Sequence, residues 1–267
     1  MQRTAINYER KDTEYAKSQD LAYGIGKYMN TKKKLDGYVL KLIACAAIAV
    51  NYLSLVVFNS DNAGIIVGNI IGRISFPILA YLIVEGFFHS SDLKKYVIRL
   101  LALAVISEPC MDFALGTYKG GIAGMMQYQN PVFTLLIGLI AVYFYDKIVT
   151  KYQNDNFKMN MYGAGVILLS AFLAVLIKSD YSIVGILMII IFYLFRKNSR
   201  MMFIAFVAIC GVFMDQTNSI TIVYSFAPML ALPLIYKYSG QEGRKNKILF
   251  YAFYPVLLLL VGIIRIL

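Results

Sequence analysis

The chain has 267 residues, of which 59% are hydrophobic and only 15% are charged, and its mean hydropathy is +0.64. A soluble domain averages about 45–50% apolar and about 25% charged residues, so this composition indicates an integral membrane protein. The net charge of +11 does not call for a nucleic-acid partner, and none is expected, because polytopic membrane proteins carry excess Lys and Arg in their cytoplasmic loops.

The chain begins with a polar, basic arm, residues 1–36, which contains eight Lys and Arg residues. Such a start needs no cleavable signal. We predict that the arm is cytoplasmic, where it either lies on the anionic inner leaflet or serves as a solvated topology determinant. Residues 37–267 keep one apolar composition and are predicted to form a single transmembrane domain.

Apolar stretches follow one another through this domain. Membrane helices need roughly 17–25 residues, so the pattern predicts an all-α, polytopic bundle of about nine transmembrane helices, within a range of about eight to ten because two stretches are short. The predicted spans are about 37–58, 64–88, 96–117, 131–147, 159–177, 182–196, 201–214, 220–236 and 247–267.

Basic residues divide unevenly between the connections on the two sides of the membrane. Alternate connections carry twelve Lys and Arg residues, whereas the others carry only Lys119 and Lys178. The basic connections are 89–95, 147–158, 196–200 and 237–247. By the positive-inside rule these face the cytoplasm, which predicts a cytoplasmic N-terminus and an external C-terminus.

Cysteine spacing supports no metal or disulfide chemistry. Cys45, Cys110 and Cys210 lie in apolar runs without a CxxC or Cys/His pattern. We therefore predict no metal site and treat the three thiols as small packing groups.

Ionisable residues inside the predicted spans form two layers. Each costs roughly 2.5–3.5 kcal/mol at a helix centre, so such groups usually face the bundle interior and pair. The layer near the cytoplasm comprises Lys41, Glu85, His89 and Arg99. Glu85 and His89 are four residues apart and share one helical face.

The second layer lies closer to the outside and comprises Asn51, Arg73, Ser107, Glu108 and Asp112. Similar depths predict a structural ion pair between Arg73 and Glu108. The ring of Pro77 clashes with the carbonyl of residue 73 and predicts a kink there. Two interpretations remain open: these charges clamp helices together, or they form a catalytic or transport site.

One stretch carries a family resemblance. GRISFPILAYLIVEGFFHSSDLKKYVIRLLALAVISEP, residues 72–109, is similar to the TraX family of membrane proteins in its Gly-Arg, Phe-Pro, Glu-Gly-Phe, His, Lys-Tyr, Arg-Leu and Ser-Glu-Pro elements, in that order. Blocks that look like the family's later ones are FTLLIGL (133–139), SDYSIVGILMIIIFYLFR (179–196), LALPLIYKYSGQEGR (230–244) and FYAFYPVLLL (250–259). The resemblance covers about 37–267.

The resemblance implies a multi-pass protein of the bacterial cytoplasmic membrane that transfers an acyl group, here acetyl, from cytoplasmic coenzyme A. The family's founding member is implicated in N-acetylation of pilin. The implied acceptor is a secreted peptide or protein N-terminus, or equally a surface glycan. The implied cofactor is acetyl-coenzyme A, without a metal.

Within that interpretation both layers contribute catalytic groups. His89 with Glu85 acts as a base on an amine or hydroxyl, and Arg73 holds a carbonyl or developing oxyanion. The basic residues expected to meet the phosphates of coenzyme A are Lys41, Lys94, Lys95 and Arg99.

Two departures from the family pattern concern histidines. The family usually has Asp-His where this chain has Asn51 and Tyr52, and Tyr-Pro-x-His where this chain has YPVL at 254–257. An amide does not titrate, and Tyr52 is a base only if it is strongly activated. His89 is the only histidine that remains.

Three functions follow as alternatives. The first is an active acyltransferase with His89 or Tyr52 as a relocated base. The second is a catalytically degenerate scaffold that binds a substrate or a partner membrane protein. The third is a small-molecule transporter in which Arg73 and Glu108 are gating charges. Coenzyme A binding separates the first from the third, and turnover separates the first from the second.

Overall fold

A computed structural model describes residues 35–58, 63–121, 124, 128–214, 217–244 and 246–267. Apart from Leu35 and Asp36, the predicted N-terminal arm lies outside the described residues. The regular structure of the described ranges is helical, which confirms the predicted all-α class. In chain order the helices are α1 (Gly37–Val57), α2 (Ala63–Gly72), α3 (Ser75–His89), α4 (Leu93–Leu115), α5 (Pro131–Lys151), α6 (Asn156–Leu176), α7 (Ser182–Leu194), α8 (Ser199–Val212), α9 (Ser219–Phe226), α10 (Leu232–Tyr236) and α11 (Lys247–Ile266).

Six segments of the described chain are long and apolar enough to cross a membrane. They are Gly37–Val57, Ala63–His89, Pro131–Lys151, Asn156–Leu176, Ser219–Tyr236 and Ile248–Ile266. Helices α7 and α8 are apolar but shorter, and α4 has 23 residues with several charges along it. Each predicted span thus coincides with a helix or a pair of helices, whereas the number that cross the membrane and the side of each terminus stay predictions.

Asp or Asn side chains begin most of the helices. Each accepts a hydrogen bond from a backbone N–H of the first turn, which satisfies a donor that the helix itself leaves unpaired. These capping residues are Asp36, Asp92, Asn130, Asp155, Asn198, Asn218 and Asn246. The caps fix where each helix starts, and hence the register of the side chains along it.

Glycines allow α2 to lie directly against α1. Gly64, Gly68 and Gly72 recur every four residues and so share one face of α2. A Cβ at Gly72 would lie only 2.5 Å from Asn51, and one at Gly68 would overlap Ser54. This close approach is typical of membrane helices, where small residues let backbones pack tightly. It places Asn51 beside the end of α2.

Helices α3 and α7 form the centre of the bundle. Helix α3 packs against α1, α5 and α7, and Phe76, Ile78 and Val84 along it are almost completely buried. On α7, Ile189 and Phe192 are completely buried. Tight packing around these two helices therefore fixes the positions of the polar residues on or next to them.

The helix that begins at Ala63 breaks at Arg73 and Ile74 and resumes as α3. Ile74 N–H donates to the carbonyl of Ile71, three residues back, at 3.1 Å, which tightens the last turn of α2. Pro77 lies in the first turn of α3 and supplies no N–H to the carbonyl of Arg73. The kink predicted from Pro77 is thus confirmed as an interruption of the helix.

Polar contacts join the ends of several helices next to the basic connections. They link α3 to the end of α7, α5 to α7, and α8 to α10. The contacts are Arg196 to Glu85, Tyr193 to Asp146 at 2.7 Å, and Tyr236 to the carbonyl of Ser199 at 3.0 Å. The connections 89–95, 147–158 and 196–200 and the start of 237–247 consequently gather at one end of the bundle, which we call the basic end.

Candidate functional site

The structure distributes the four residues predicted as catalytic over two places. Glu85 and His89 lie in the last part of α3, whereas Arg73 lies just before α3 begins. Ten residues separate Ser75 from Glu85 along α3, which at 1.5 Å per residue is about 15 Å. Arg73 and His89 therefore cannot act on one reacting atom, and the two groups of residues are described separately.

The first group, the Glu85 centre, consists of Glu85, Arg196, His89, Tyr81 and Tyr238. Glu85 is only 4% exposed and accepts two hydrogen bonds from the Arg196 guanidinium, one from Nε to Oε1 and one of 3.0 Å from Nη2 to Oε2. Bonding to this carboxylate raises the pKa of Arg196. A bidentate pair of this kind holds the end of α3 to the end of α7.

Cation–π and aromatic contacts surround that pair. The Arg196 guanidinium lies 4.5 Å from the ring centroid of Phe88, and the rings of Tyr81 and Tyr238 meet edge to face at 5.7 Å. In the sequence, Arg196 stands out only as one of the positive charges of a loop. A Glu in an apolar helix predicts that a cationic side chain pairs with it, but the sequence does not identify that side chain.

His89 lies at the rim of the Glu85 centre. Its Nδ1 is 2.8 Å from the backbone carbonyl of Glu85 and 4.0 Å from the Glu85 carboxylate, and its side chain is 59% exposed. In the tautomer that donates from Nδ1 to the carbonyl, Nε2 is the basic nitrogen and faces outward. The Glu85 carboxylate is held by Arg196, so it orients His89 only weakly.

The second group, the tyrosine centre, consists of Tyr52, Tyr254, Asp180, Glu108 and Arg73. The hydroxyls of Tyr52 on α1 and Tyr254 on α11 are 3.2 Å apart and share a hydrogen bond. Both hydroxyls lie within electrostatic range of Asp180 and Glu108. The two places where the family resemblance leads us to expect histidine-containing motifs are thus brought together.

Asp180 lies in the short connection between α6 and α7, where the backbone is strained. Lys178, Tyr181 and Ser182 have φ values of 54°, 61° and 35°, and elsewhere in the described chain only glycines have a positive φ. Such conformations cost of the order of 1–3 kcal/mol each and persist only where the surroundings impose them, often at functional sites. The sequence suggests only a helix cap for Asp180 and Tyr181.

Neighbouring elements impose this conformation. The backbone N–H of Asp180 donates to the carbonyl of Gln129 at 2.9 Å, and the hydroxyl of Thr134 donates to the Asp180 carbonyl. The ring of Tyr181 stacks on Phe76 at 3.9 Å between centroids. These contacts fasten the connection to α3 and α5.

The Arg73 break and the strained connection lie at similar heights above the basic end. From the Glu85–Arg196 contact, α3 rises about 15 Å to Ser75, and the 13 residues of α7 rise about 20 Å. Both distances are shorter than the hydrocarbon thickness of about 30 Å. Irregular backbone at such a level is tolerated where protein or a water-filled recess surrounds it.

Charges within the tyrosine centre do not form the predicted ion pair. Among the described residues four ion pairs occur, and Arg73 with Glu108 is not one of them. Glu108 accepts hydrogen bonds from the backbone and side-chain nitrogens of Asn130 instead. The Arg73 guanidinium lies 5.2 Å from the ring centroid of Tyr224 and acts electrostatically on Asp180.

Polar atoms of the centre, and of residues next to its members in the sequence, are not satisfied by other described residues. Oε1 of Glu108, Oγ of Ser107 and Oδ1 of Asn51 are buried without a hydrogen-bond partner in the described part of the chain. Asp180 is exposed yet surrounded by protein on most sides, and this desolvation raises the pKa of its carboxyl against the opposing effect of Arg73. Unsatisfied polar atoms near a carboxyl of raised pKa are suited to proton transfer.

Basic residues predicted to meet coenzyme A gather at the basic end, around the start of α11. The Lys41 ammonium lies 5.5 Å from the ring centroid of Phe250, and Arg99 lies within electrostatic range of Tyr251. Lys95 is held 3.1 Å from Asp92, and Lys94 is exposed beside it. Ammonium and guanidinium groups converging from α1 and α4 fit the phosphates of a nucleotide.

No group of three or more His, Cys, Asp or Glu side chains within the described ranges is placed to hold a metal ion.

Comparisons with known proteins point to one family. The model of the family described as TraX protein matches residues 36–265. A "Probable fimbrial assembly protein FimC, serogroup H1" from Dichelobacter nodosus is 28% identical over 117 residues, which are 43% of this chain and 48% of that protein. The alignment thus spans about half the length of this relative. No solved structure matches the chain.

Proposed function

Because the chain belongs to the TraX family, we propose that it is a membrane acyltransferase that transfers an acetyl group from coenzyme A to a secreted or surface acceptor. The observation that carries the proposal is the tyrosine centre. Five polar residues from separate parts of the chain lie together there, and bringing them together costs free energy through desolvation and backbone strain. A contact that only held helices together would not require that strain.

The acetyl donor would supply an activated thioester, and the residues of the tyrosine centre would act on it. With Tyr254 as the donor of the hydrogen bond that the two tyrosines share, the Tyr52 hydroxyl would donate its own hydrogen to the thioester carbonyl, and the Arg73 guanidinium would stabilise the negative charge that develops on that oxygen. Asp180 accepts the proton from the attacking amine or hydroxyl. The acceptor–carbon bond forms, the carbon–sulfur bond breaks, and the thiolate leaves.

Residues at the basic end would bind the donor. Lys41 and Arg99, with Lys94 and Lys95 nearby, would contact phosphate oxygens through charge-assisted hydrogen bonds. The match to a fimbrial assembly protein supports a fimbrial or pilin-like subunit as the acceptor, with an amine at its N-terminus as the group that is acetylated.

The test uses full-length protein in lipid nanodiscs with radiolabelled acetyl-coenzyme A. Tyr52→Phe removes one donor to the carbonyl oxygen and is expected to lower thioester turnover by about 10–100-fold, which is below the loss seen when a rigid oxyanion-hole donor is removed. Tyr128→Phe, at a residue that is 62% exposed, is the matched control and should leave turnover unchanged. Equal rates for the two variants would contradict the proposal.

A second candidate is a degenerate scaffold that binds its substrate or a partner without chemistry. The observation that favours it is Leu257, which is buried, only 8% exposed, and stands where the family usually has a histidine. In that case the wild type does not turn over acetyl-coenzyme A, and a variant with Asn51→Asp, Tyr52→His and Leu257→His gains turnover.

A further inference from the structure

A groove of about 460 Å³ runs between α5 and α6, and none of its lining residues belongs to the tyrosine centre. Helices α5 and α6 pack along each other, and Gly165 lies in the groove between them. A Cβ at Gly165 would meet no other atom within 4 Å. Because Gly165 has no side chain, the groove has space at this position for part of a ligand.

The chemistry of the groove changes along its length. Near the basic end it is lined by Lys147 and Lys151, both exposed, and by Tyr152. Towards the middle of the membrane it is lined by apolar side chains such as Phe144 and Leu169. A ligand that fits must carry negative charge at one end and hydrocarbon at the other.

The two lysines are not neutralised by carboxylates. Among the described residues no Asp or Glu lies within ion-pair distance of Lys147 or Lys151. The nearby carboxylates are used elsewhere: Asp146 accepts a hydrogen bond from Tyr193 at 2.7 Å, and Asp155 pairs with Lys158 at 3.0 Å.

Aromatic rings hold both ammonium groups at the mouth of the groove. Lys147 lies 5.6 Å from the ring centroid of Tyr143, and Lys151 lies 5.2 Å from that of Tyr152. The ring of Tyr152 in turn packs against Tyr162 of α6 at 5.1 Å. Interfacial tyrosines and lysines at the ends of spans lie at the level of lipid headgroups.

We propose that this groove is a binding site for an anionic phospholipid. The phosphate lies between Lys147 and Lys151, and one acyl chain follows the space beside Gly165 towards Leu169. A basic pocket between membrane helices on the cytoplasmic side selects acidic headgroups by charge, and the positive-inside prediction places this end of the bundle at that leaflet. The site is separate from the proposed acetyl-transfer chemistry and does not depend on it.

Native mass spectrometry of detergent-purified protein with added phosphatidylglycerol or phosphatidylcholine tests the proposal. The wild type is expected to retain phosphatidylglycerol at least about tenfold more strongly than phosphatidylcholine. Lys147→Gln with Lys151→Gln should abolish that preference. The matched control is Lys197→Gln with Lys237→Gln, two lysines outside the groove, and it should keep the preference.

A steric variant tests the groove without changing charge. Gly165→Leu fills the open space and should lower phosphatidylglycerol retention to the level of phosphatidylcholine. Gly211→Leu is its control, because Gly211 also has nothing within 4 Å of a Cβ but lies on α8. Glycerol phosphate, which has the headgroup charge without chains, should not compete; competition would assign the site to free phosphate and overturn the lipid proposal.

Two further results would overturn the proposal of a phospholipid site. One is equal retention of the two lipids by the wild type, and the other is an unchanged preference for phosphatidylglycerol in the double variant of Lys147 and Lys151. That double variant alters only exposed side chains, so it decides the question even if Gly165→Leu does not fold.

Discussion

At the scale of single residues, Asp180 carries the largest share of the proposed chemistry. Its carboxyl is close enough to Arg73 for the guanidinium to favour ionisation, yet desolvation by the surrounding protein outweighs that effect and raises its pKa. A base of raised pKa accepts protons more readily than an ordinary Asp. The hydrogen-bonded hydroxyls of Tyr52 and Tyr254, 3.2 Å apart, lie within electrostatic range of this carboxyl.

The first prediction concerns the pH dependence of acetyl transfer. Only the ionised carboxylate accepts a proton, so the single-turnover rate should rise with pH through the raised pKa of Asp180 and then level off. Asp180→Asn should remove this limb and lower the rate by about 10²–10⁴-fold. Asp155→Asn is the control, since Asn caps a helix as well as Asp does. If the rate of Asp180→Asn still rises with pH in the same way, the pH dependence belongs to another titrating group.

The second prediction concerns the Glu85–Arg196 pair. Removing one partner leaves a charge without its counterion, so Arg196→Met should lower the free energy of unfolding by about 3–5 kcal/mol, and Glu85→Met with Arg196→Met should recover a large part of that loss. The melting temperatures of the single and the double variant in detergent report the loss and the recovery of stability. Lys158→Met, in the exposed pair with Asp155, should cost about 0–1 kcal/mol. A double variant as unstable as the single one would show that the pair is not the cause.

Individual residues also show where prediction from sequence reaches its limit. Glu85 and Arg73 stand out in the sequence because charges are rare in apolar helices. Their partners do not, because Arg196 and Asp180 come from connections more than 100 residues away along the chain, and spacing carries no information about such contacts. The positive φ of Tyr181 has no signal in residue type, since a tyrosine rarely adopts it.

At the scale of helices, the glycines of α2 decide how the tyrosine centre is assembled. Gly68 lies against Ser54 and Gly72 against Asn51, which brings the end of α2, and with it Arg73, next to α1. Helix positions are predicted well because apolar length and Asp or Asn caps are local signals. The interruption at Arg73 is predicted for the same reason, since Pro77 acts on its own helix.

The third prediction tests this packing. Gly68→Leu forces α2 away from α1 and should lower the free energy of unfolding by about 1–3 kcal/mol or more, because a tightly packed contact cannot absorb the added atoms. Gly211→Leu adds the same side chain in open space and should be nearly neutral. Fluorescence-detected size-exclusion chromatography after heating compares the two, and equal melting temperatures would contradict the role of Gly68.

At the scale of the whole molecule, the basic and less basic connections belong to opposite ends of one bundle. The contacts among Glu85, Arg196, Tyr193 and Asp146 join helix ends next to basic connections, while Gln129 and Ser179 pair at the other end. With the predicted orientation of the basic end towards the cytoplasm, the proposed donor and acceptor would approach the tyrosine centre from different sides.

The fourth prediction is the orientation itself. In a background with Cys45, Cys110 and Cys210 replaced by Ala, the thiol of Lys197→Cys should react with a membrane-impermeant maleimide only after the cells are opened, because that connection is expected to face the cytoplasm. The thiol of Lys119→Cys should react in intact cells. The opposite pattern would reverse the orientation and place the basic end outside.

The most direct test of the central claim compares the two centres in one assay. Single-turnover transfer from acetyl-coenzyme A in nanodiscs is measured for the wild type, Asp180→Asn and His89→Ala. If the tyrosine centre carries the reaction, Asp180→Asn loses transfer by at least about 10²-fold and His89→Ala stays within a few-fold of the wild type. If His89→Ala loses transfer while Asp180→Asn retains it, the reaction belongs to the Glu85 centre and the tyrosine centre is not the site of acetyl transfer.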